Sequence, residues 1–222
     1  MKKYDLHVHS KYSIDSINDP LELIKKYKNE KYDGFAITDH GEIKGYKEAK
    51  KIALQNKIEI EIIGGCEYKT NRGEIIGLFI EEITNKKEFY EVVDHIHEQG
   101  GFVVIPHPFD KTKKHALNPN SLTEEELKQI DLIEVFNSSC PNIEYNKKAE
   151  EFATKNNFGK TAGSDAHIIS ACAKAITKVE QDHDLYFALR KKLTLTQGEL
   201  NPPYYRGIPT IIKYLKKASI IK

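Results

Sequence analysis

The residues best able to do chemistry end short apolar runs. Asp5-Leu6-His7-Val8-His9-Ser10 closes the first of them. In an extended chain, residues two apart point to one side, so Asp5, His7 and His9 are expected to share a face. Two imidazoles about 6 to 7 Å apart along a strand can chelate one metal ion, although an isolated His-x-His pair more often just caps a strand. Four more clusters repeat the register: Thr38-Asp39-His40, Gly65-Cys66-Glu67, His107-Pro108 and Gly163-Ser164-Asp165-Ala166-His167. Each falls where an apolar run stops. Taken jointly, these mixed nitrogen and oxygen donors predict a centre for zinc, manganese or iron.

Such a centre needs a scaffold that brings strand ends together. Short apolar runs alternate with amphipathic stretches about seven times along the 222 residues. That alternation predicts a single parallel-stranded α/β domain, barrel-like or doubly wound, whose functional groups lie at the C-terminal ends of its strands. Runs predicted as strands include Tyr4 to Val8, Gly34 to Thr38, Ile58 to Cys66, Phe102 to Ile105, Leu132 to Phe136 and Ala175 to Val179. Asp19-Pro20 opens a helix as N-cap and first-turn proline, and Thr123-Glu-Glu-Glu resembles a capping box. Residues 195–222 are expected to form an extension that packs on the barrel.

Thirty-four Lys and Arg balance 33 Asp and Glu, for a net charge of +1. That balance argues against a polybasic nucleic-acid binder and favours a small substrate over long nucleic acid. Cys66, Cys140 and Cys172 form no Cys-x-x-Cys pair, and no run of about 18 apolar residues occurs. A reducing, cytoplasmic location without membrane attachment is expected. The oligomeric state is left open.

The clusters together resemble the PHP family, the polymerase and histidinol phosphatase domain, over essentially the whole chain. The resemblance implies a distorted (β/α)7 barrel and a metal-dependent phosphoesterase with two to three divalent ions. It implies that His7, His9, Glu67 and Asp165 hold one ion and that Asp15, His40 and His167 hold a second. Glu67 would bridge to a third, completed by Glu74 and His107. Asp15 and Glu74 stand where three-zinc members carry His, which makes the donor set harder. The implied substrate is a small phosphorylated metabolite or nucleotide, attacked by a metal-activated hydroxide, with Glu67, Asp39 and His107 nearest the reaction. For Asp39, next to His40, orienting a ligand is the expected part.

Substrate contacts are expected from Arg72, Arg206, Asn137 and His115, with plain surface charge or turn chemistry as the alternative for each. Lys111, Lys113 and Lys114 beside His115 fit a solvated charge run better than a phosphate clamp. His95 and His97 are assigned to the surface, and His183 to the entry of a helix. The competing functions are histidinol-phosphate phosphatase, a PHP-type nuclease and, in a different class, an RNA-binding scaffold like the protein subunit of archaeal ribonuclease P. The last predicts lost ligands and a basic surface.

Overall fold

The computed structural model describes residues 1–221. Its strands are β1 (Lys2–Val8), β2 (Gly34–Ile37), β3 (Glu61–Lys69), β4 (Glu74–Leu78), β5 (Phe102–Ile105), β6 (Leu132–Asn137), β7 (Gly159–Gly163), β8 (Ala175–Val179) and β9 (Leu195–Gly198). The helices are α1 (Pro20–Asn29), α2 (Lys44–Gln55), α3 (Phe89–Glu98), α4 (Glu124–Leu127), α5 (Ile143–Lys155), α6 (Leu185–Arg190) and α7 (Ile208–Lys217). The strands form one sheet in the order β7-β6-β5-β4-β3-β2-β1-β8-β9, curled into a nearly closed barrel.

Local chemistry sets the elements. Asp19 accepts the Leu21 amide with Pro20 in the first turn, and the capping box at Thr123 and Glu126 is formed. The barrel interior holds Tyr4, Leu6, Ile63, Ile76, Val104 and Leu132, whereas Val8, Cys66, Ile133 and Val135 pack outward under the helices. Alternation along β3 therefore turns Cys66 away from Glu67. All three cysteines are buried and free.

The structure corrects two expectations about the strands. The sheet is mixed: β4 runs antiparallel to both neighbours, and so does β8. A strand antiparallel to β3 starts where β3 ends, so Glu74 at the head of β4 reaches the same mouth as the C-terminal ends of the parallel strands. The second correction concerns β1, whose pairing with β2 is irregular between Asp5 and Val8. Asp5 does not share the face of His7. Its carboxylate instead accepts the Tyr27 hydroxyl from α1 at 2.7 Å and the Ser164 amide at 2.9 Å. Burial pushes the Asp5 carboxyl up to about 6, against those donors.

Residues beyond Lys192 do more than lie on the barrel: Leu195–Gly198 is a strand of the sheet itself. The seam between β7 and β8 is closed by one hydroxyl. Thr177 Oγ1 accepts the Ala162 amide at 2.8 Å and donates to the Ala162 carbonyl at 3.2 Å, standing in for a ladder. Thr177→Val keeps the shape but orphans a buried amide, so it should lower unfolding free energy by about 1–3 kcal/mol. Thr177→Ser should lose little. Chemical denaturation measures both, and equal stability of the valine and serine variants would contradict the hydroxyl's part in the seam.

Candidate metal centre

The C-terminal ends of β1, β2, β3, β5 and β7 deliver five histidines, Glu67 and Asp165 to one mouth. The tightest group is His7, His9, Glu67 and Asp165. His7 Nε2 and His9 Nε2 lie 3.1 Å apart, at 3.4 and 3.3 Å from Glu67 Oε2, and at 3.6 and 3.4 Å from Asp165 Oδ1. The edge of a tetrahedron with metal bonds of about 2.0–2.1 Å is roughly 3.4 Å. Five donor–donor distances thus match a single four-coordinate ion. Asp165 Oδ1 is buried and accepts no hydrogen bond, as a metal-facing oxygen requires.

Asp15, His40 and His167 also come together. His40 Nε2 is 3.3 Å from Asp15 Oδ2, and His167 Nε2 is 3.6 Å from Asp15 Oδ1, another buried oxygen without a hydrogen bond. Glu67 joins the groups. Its Oε2 is 3.2 Å from His40 Nδ1, while Oε1 is 3.2 Å from His107 Nε2. Close donor triads are His7-Glu67-His107, His7-His9-Asp165 and His9-His40-His167. Glu74 is not in any of these close triads. It lines the adjoining cleft, where burial and the charge of Glu67 raise its pKa.

The Nδ1 atoms of His7, His9 and His167 are tied down, which leaves their Nε2 facing inward. His7 Nδ1 lies 3.0 Å from Glu134 Oε1, His9 Nδ1 3.2 Å from Ser13 Oγ, and His167 Nδ1 2.9 Å from the Asp165 carbonyl. Burial works against charge on His7, but Asp165, Glu134 and Glu67 outweigh it and hold its pKa well above the usual imidazole value. His9 is likewise lifted to about 9, against burial, by Asp165 and Glu67. His167 is pushed down to about 3 by burial and the neighbouring His9. Burial alone would raise Glu67, yet His40 and His7 draw it well below the usual carboxylate range. His107 and Asp165 both carry positive φ, 33° and 53°, a conformation that costs side-chain-bearing residues energy and recurs at functional sites.

The chain belongs to the PHP domain family. The family model matches residues 5–185. The chain is 40% identical over 182 residues to the uncharacterized protein MJ0417 of Methanocaldococcus jannaschii, covering 81% of this chain and 71% of that one. It is 36% identical over 169 residues to MJ1587 of the same organism, covering 69% of this chain and 95% of that one. Among solved structures, a two-domain protein from Bacteroides vulgatus superposes with a TM-score of 0.73 at 18% identity. That protein is described as containing a predicted PHP-like metal-dependent phosphoesterase. The match covers 89% of this chain but 65% of the larger one, and at this identity it speaks for the fold alone.

Other residues singled out by sequence fall in different places. Asp39 is fully buried and accepts from the Ser10 amide at 2.6 Å, the Ser10 hydroxyl at 2.5 Å and the Ser13 hydroxyl at 2.9 Å. Ser13 Oγ lies 3.2 Å from His9 Nδ1, so Asp39 is linked to the donor group through Ser13. Asn137 is also fully buried. Its amide bridges Glu134 Oε2 and Asp165 Oδ2 at 2.9 and 3.3 Å, which brackets the site from beneath and leaves no wall for substrate. Arg72 grips Glu126 with two nitrogens and the Ser121 carbonyl with one, so its fork is committed to the capping box of α4. Arg206 donates to the Pro141 carbonyl, yet it still lines a small pocket beside Asp165 and His167. His115 lines the cleft, 2.6 Å from Lys69 Nζ.

Two residues acquire roles that sequence reading missed. Lys113 is not part of a solvated run: its ammonium pairs with Asp165 Oδ2 from the loop after β5. Nothing distinguishes it in sequence from exposed Lys111 and Lys114. Glu134 sits in the apolar strand β6, contacts His7 Nδ1 and accepts the His107 amide at 2.7 Å. An acid inside an apolar strand needs partners, and that was the available signal. Gly163 makes room for this contact, because a Cβ there would collide with His7 Cβ and Glu134 Oε1.

Glu134→Gln should weaken metal affinity by about 10- to 100-fold through the loosened His7, as read by competition with a chromogenic chelator. Unchanged affinity would remove Glu134 from the centre. The ion-free protein has a further signature. The paired His9 stabilises the fold fully below pH 6.5, and that stability is lost as pH rises through about 9. Metal-stripped protein should therefore melt lower at pH 9 than at pH 6.5. Metal-loaded protein should lack that drop, since coordination replaces the protons. Parallel pH profiles for the two forms would refute the assignment.

Proposed function

We propose that the protein is a metal-dependent phosphoesterase acting on a small phosphorylated substrate. The observation that carries this reading is the His7-His9-Glu67-Asp165 group at tetrahedral spacing, joined through Glu67 to His40 and His107 and open to a cleft of about 440 Å³. The family fold and the phosphoesterase description of the Bacteroides vulgatus protein support it.

Bound divalent cations in such a cluster neutralise phosphoryl oxygens and make water acidic enough to attack at neutral pH. The chain's own residues do the rest. His7, His9, Glu67 and Asp165 would hold one ion, and Asp15, His40 and His167 would hold a second. Glu67 and His107, with Glu74 on the cleft wall, would supply a third position. The Asp39–Ser13 and Glu134 contacts keep His9 and His7 aimed inward. Lys113 adds a cation from the loop side, beside Asp165 Oδ2, where it would meet a phosphoryl oxygen. Zinc, manganese and iron all suit the donors.

An RNA-binding scaffold would have no use for this constellation, and a net charge of +1 does not favour long polynucleotide. No helix among the described residues is long and apolar enough to cross a membrane. Three free buried cysteines support a cytoplasmic setting.

The decisive experiment is metal analysis of purified protein followed by a screen of phosphomonoesters and phosphodiesters with zinc, manganese and iron. Hydrolysis should appear only with metal, and Glu67→Gln should lower kcat by a factor of about 100 or more. Fully metal-loaded protein that turned over no phosphoester would sink the proposal.

A further inference from the structure

Asp15 brings no support of its own to the Asp15-His40-His167 group. Its Oδ1 is buried without a hydrogen bond, and its Oδ2 faces His40 Nε2 at 3.3 Å. The carboxylate is therefore only as well placed as the loop that carries it. That loop runs from the end of β1 to Asp19, the cap of α1. Its inner side is fixed by Asp39, which accepts from Ser10 and Ser13, and by Ser16 Oγ, which donates to the His9 carbonyl at 2.9 Å.

Its outer side depends on the C-terminal helix. Lys216 of α7 is half-buried, and its ammonium donates to the Lys11 and Ser13 carbonyls at 2.5 and 2.8 Å. Among the described residues, the Lys11 carbonyl has no other donor, and the Ser13 carbonyl has besides it the Ser16 amide at 3.4 Å. The helix itself is well seated. Ile212 is buried, and in the turn before α7 Tyr205 packs against the core. The Asn201 amide donates to the Ser138 carbonyl at 2.7 Å, and Arg206 donates to the Pro141 carbonyl at 3.0 Å. Tyr205, Ile208 and Pro209 line a cavity of about 30 Å³ whose other wall includes Asp165 and His167. The C-terminal segment thus borders the His167 side of the group through this cavity and holds the Asp15 side through Lys216. It lies beyond residues 5–185, the part of the chain that matches the family.

We infer that Lys216 is a positioning residue for the second ion: by holding the carbonyls of Lys11 and Ser13 it sets Asp15 opposite His40 and His167, and α7 thereby tunes the metal affinity of that position. The inference rests on the metal-centre reading and not on which ester is hydrolysed. The sign of the effect separates this role from plain electrostatics. A lysine that only neighbours a cation site repels the ion, so removing its charge tightens binding. A lysine that holds the loop does the reverse, and removing it loosens binding.

The test titrates metal-stripped protein with zinc in competition with a chromogenic chelator. Asp15→Ala identifies the step that belongs to the second ion. Lys216→Met keeps the apolar stem and removes the donors, and it should weaken that step about tenfold while leaving the others unaltered. Lys216→Arg, which can still donate to both carbonyls, should restore most of the loss. Lys217→Met, at the exposed next residue, should match the parent. In the Asp15→Ala background, Lys216→Met should add nothing further. Hydrogen exchange supplies a readout without any ion: the Lys11, Ser13 and Ile17 amides of metal-stripped protein should exchange faster in the methionine variant. Unaltered or tighter binding of the second ion, equal weakening of every step, or unchanged exchange overturns the inference. A titration indifferent to Asp15→Ala also overturns it while the His7-His9-Glu67-Asp165 group stands, and uptake of no metal at all removes the centre with it.

Discussion

The carboxylate of Glu67 is the point on which the mouth of the barrel is built. It is 3% exposed, and its two oxygens meet His7, His9, His40 and His107 from three other strand ends. A buried carboxylate is costly unless it is paired, and a cluster of buried acids more so. Protons on the histidines supply part of the compensation in the ion-free protein. Divalent cations supply it more fully, because one ion can satisfy several donors at once. Much of the surrounding architecture follows from keeping those donors within a few ångströms of one another.

Three buried supports do that work from behind the donors. Asp39 gathers Ser10 and Ser13 and thereby fixes the loop after β1 that carries Asp15. Glu134 ties His7 on β1 to the His107 backbone after β5. Asp5 ties the Ser164 amide to α1 through Tyr27, which steadies the turn bearing Asp165 and His167. Each support joins elements distant in sequence, so the centre and the closure of the barrel stabilise each other. The left-handed backbone at His107 and Asp165 is tolerated on the same account. The C-terminal helix, which follows the residues matched by the family model, adds Lys213 to the wall of the cleft.

The repeated placement of His, Asp and Glu at the ends of apolar runs made the α/β class legible in the sequence, together with the side chains that cluster at the mouth: His7, His9, His40, Glu67, His107, Asp165 and His167. Apolar runs mark buried strands, and a parallel barrel puts their ends at one mouth. The α1 cap, the α4 capping box and the orientation of Cys66 were legible for the same reason: each depends on residues a few positions apart. The mixed sheet direction, the irregularity in β1, the strand at Leu195–Gly198 and the hydroxyl seam at Thr177 were not legible. They depend on pairings between segments far apart, which local patterning does not encode.

Sequence alone determined which side chains are available for chemistry and roughly where along the chain they stop each strand. Tertiary structure decided what each one touches. It sent Arg72 to Glu126, set Asn137 and Asp39 beneath the centre, and folded Lys113 onto Asp165 while Lys111 and Lys114 stayed exposed. The physical reason is reach. A strand-end register is a property of neighbours in the chain, whereas a buried charge selects its partner from whatever the closed barrel brings within hydrogen-bonding distance.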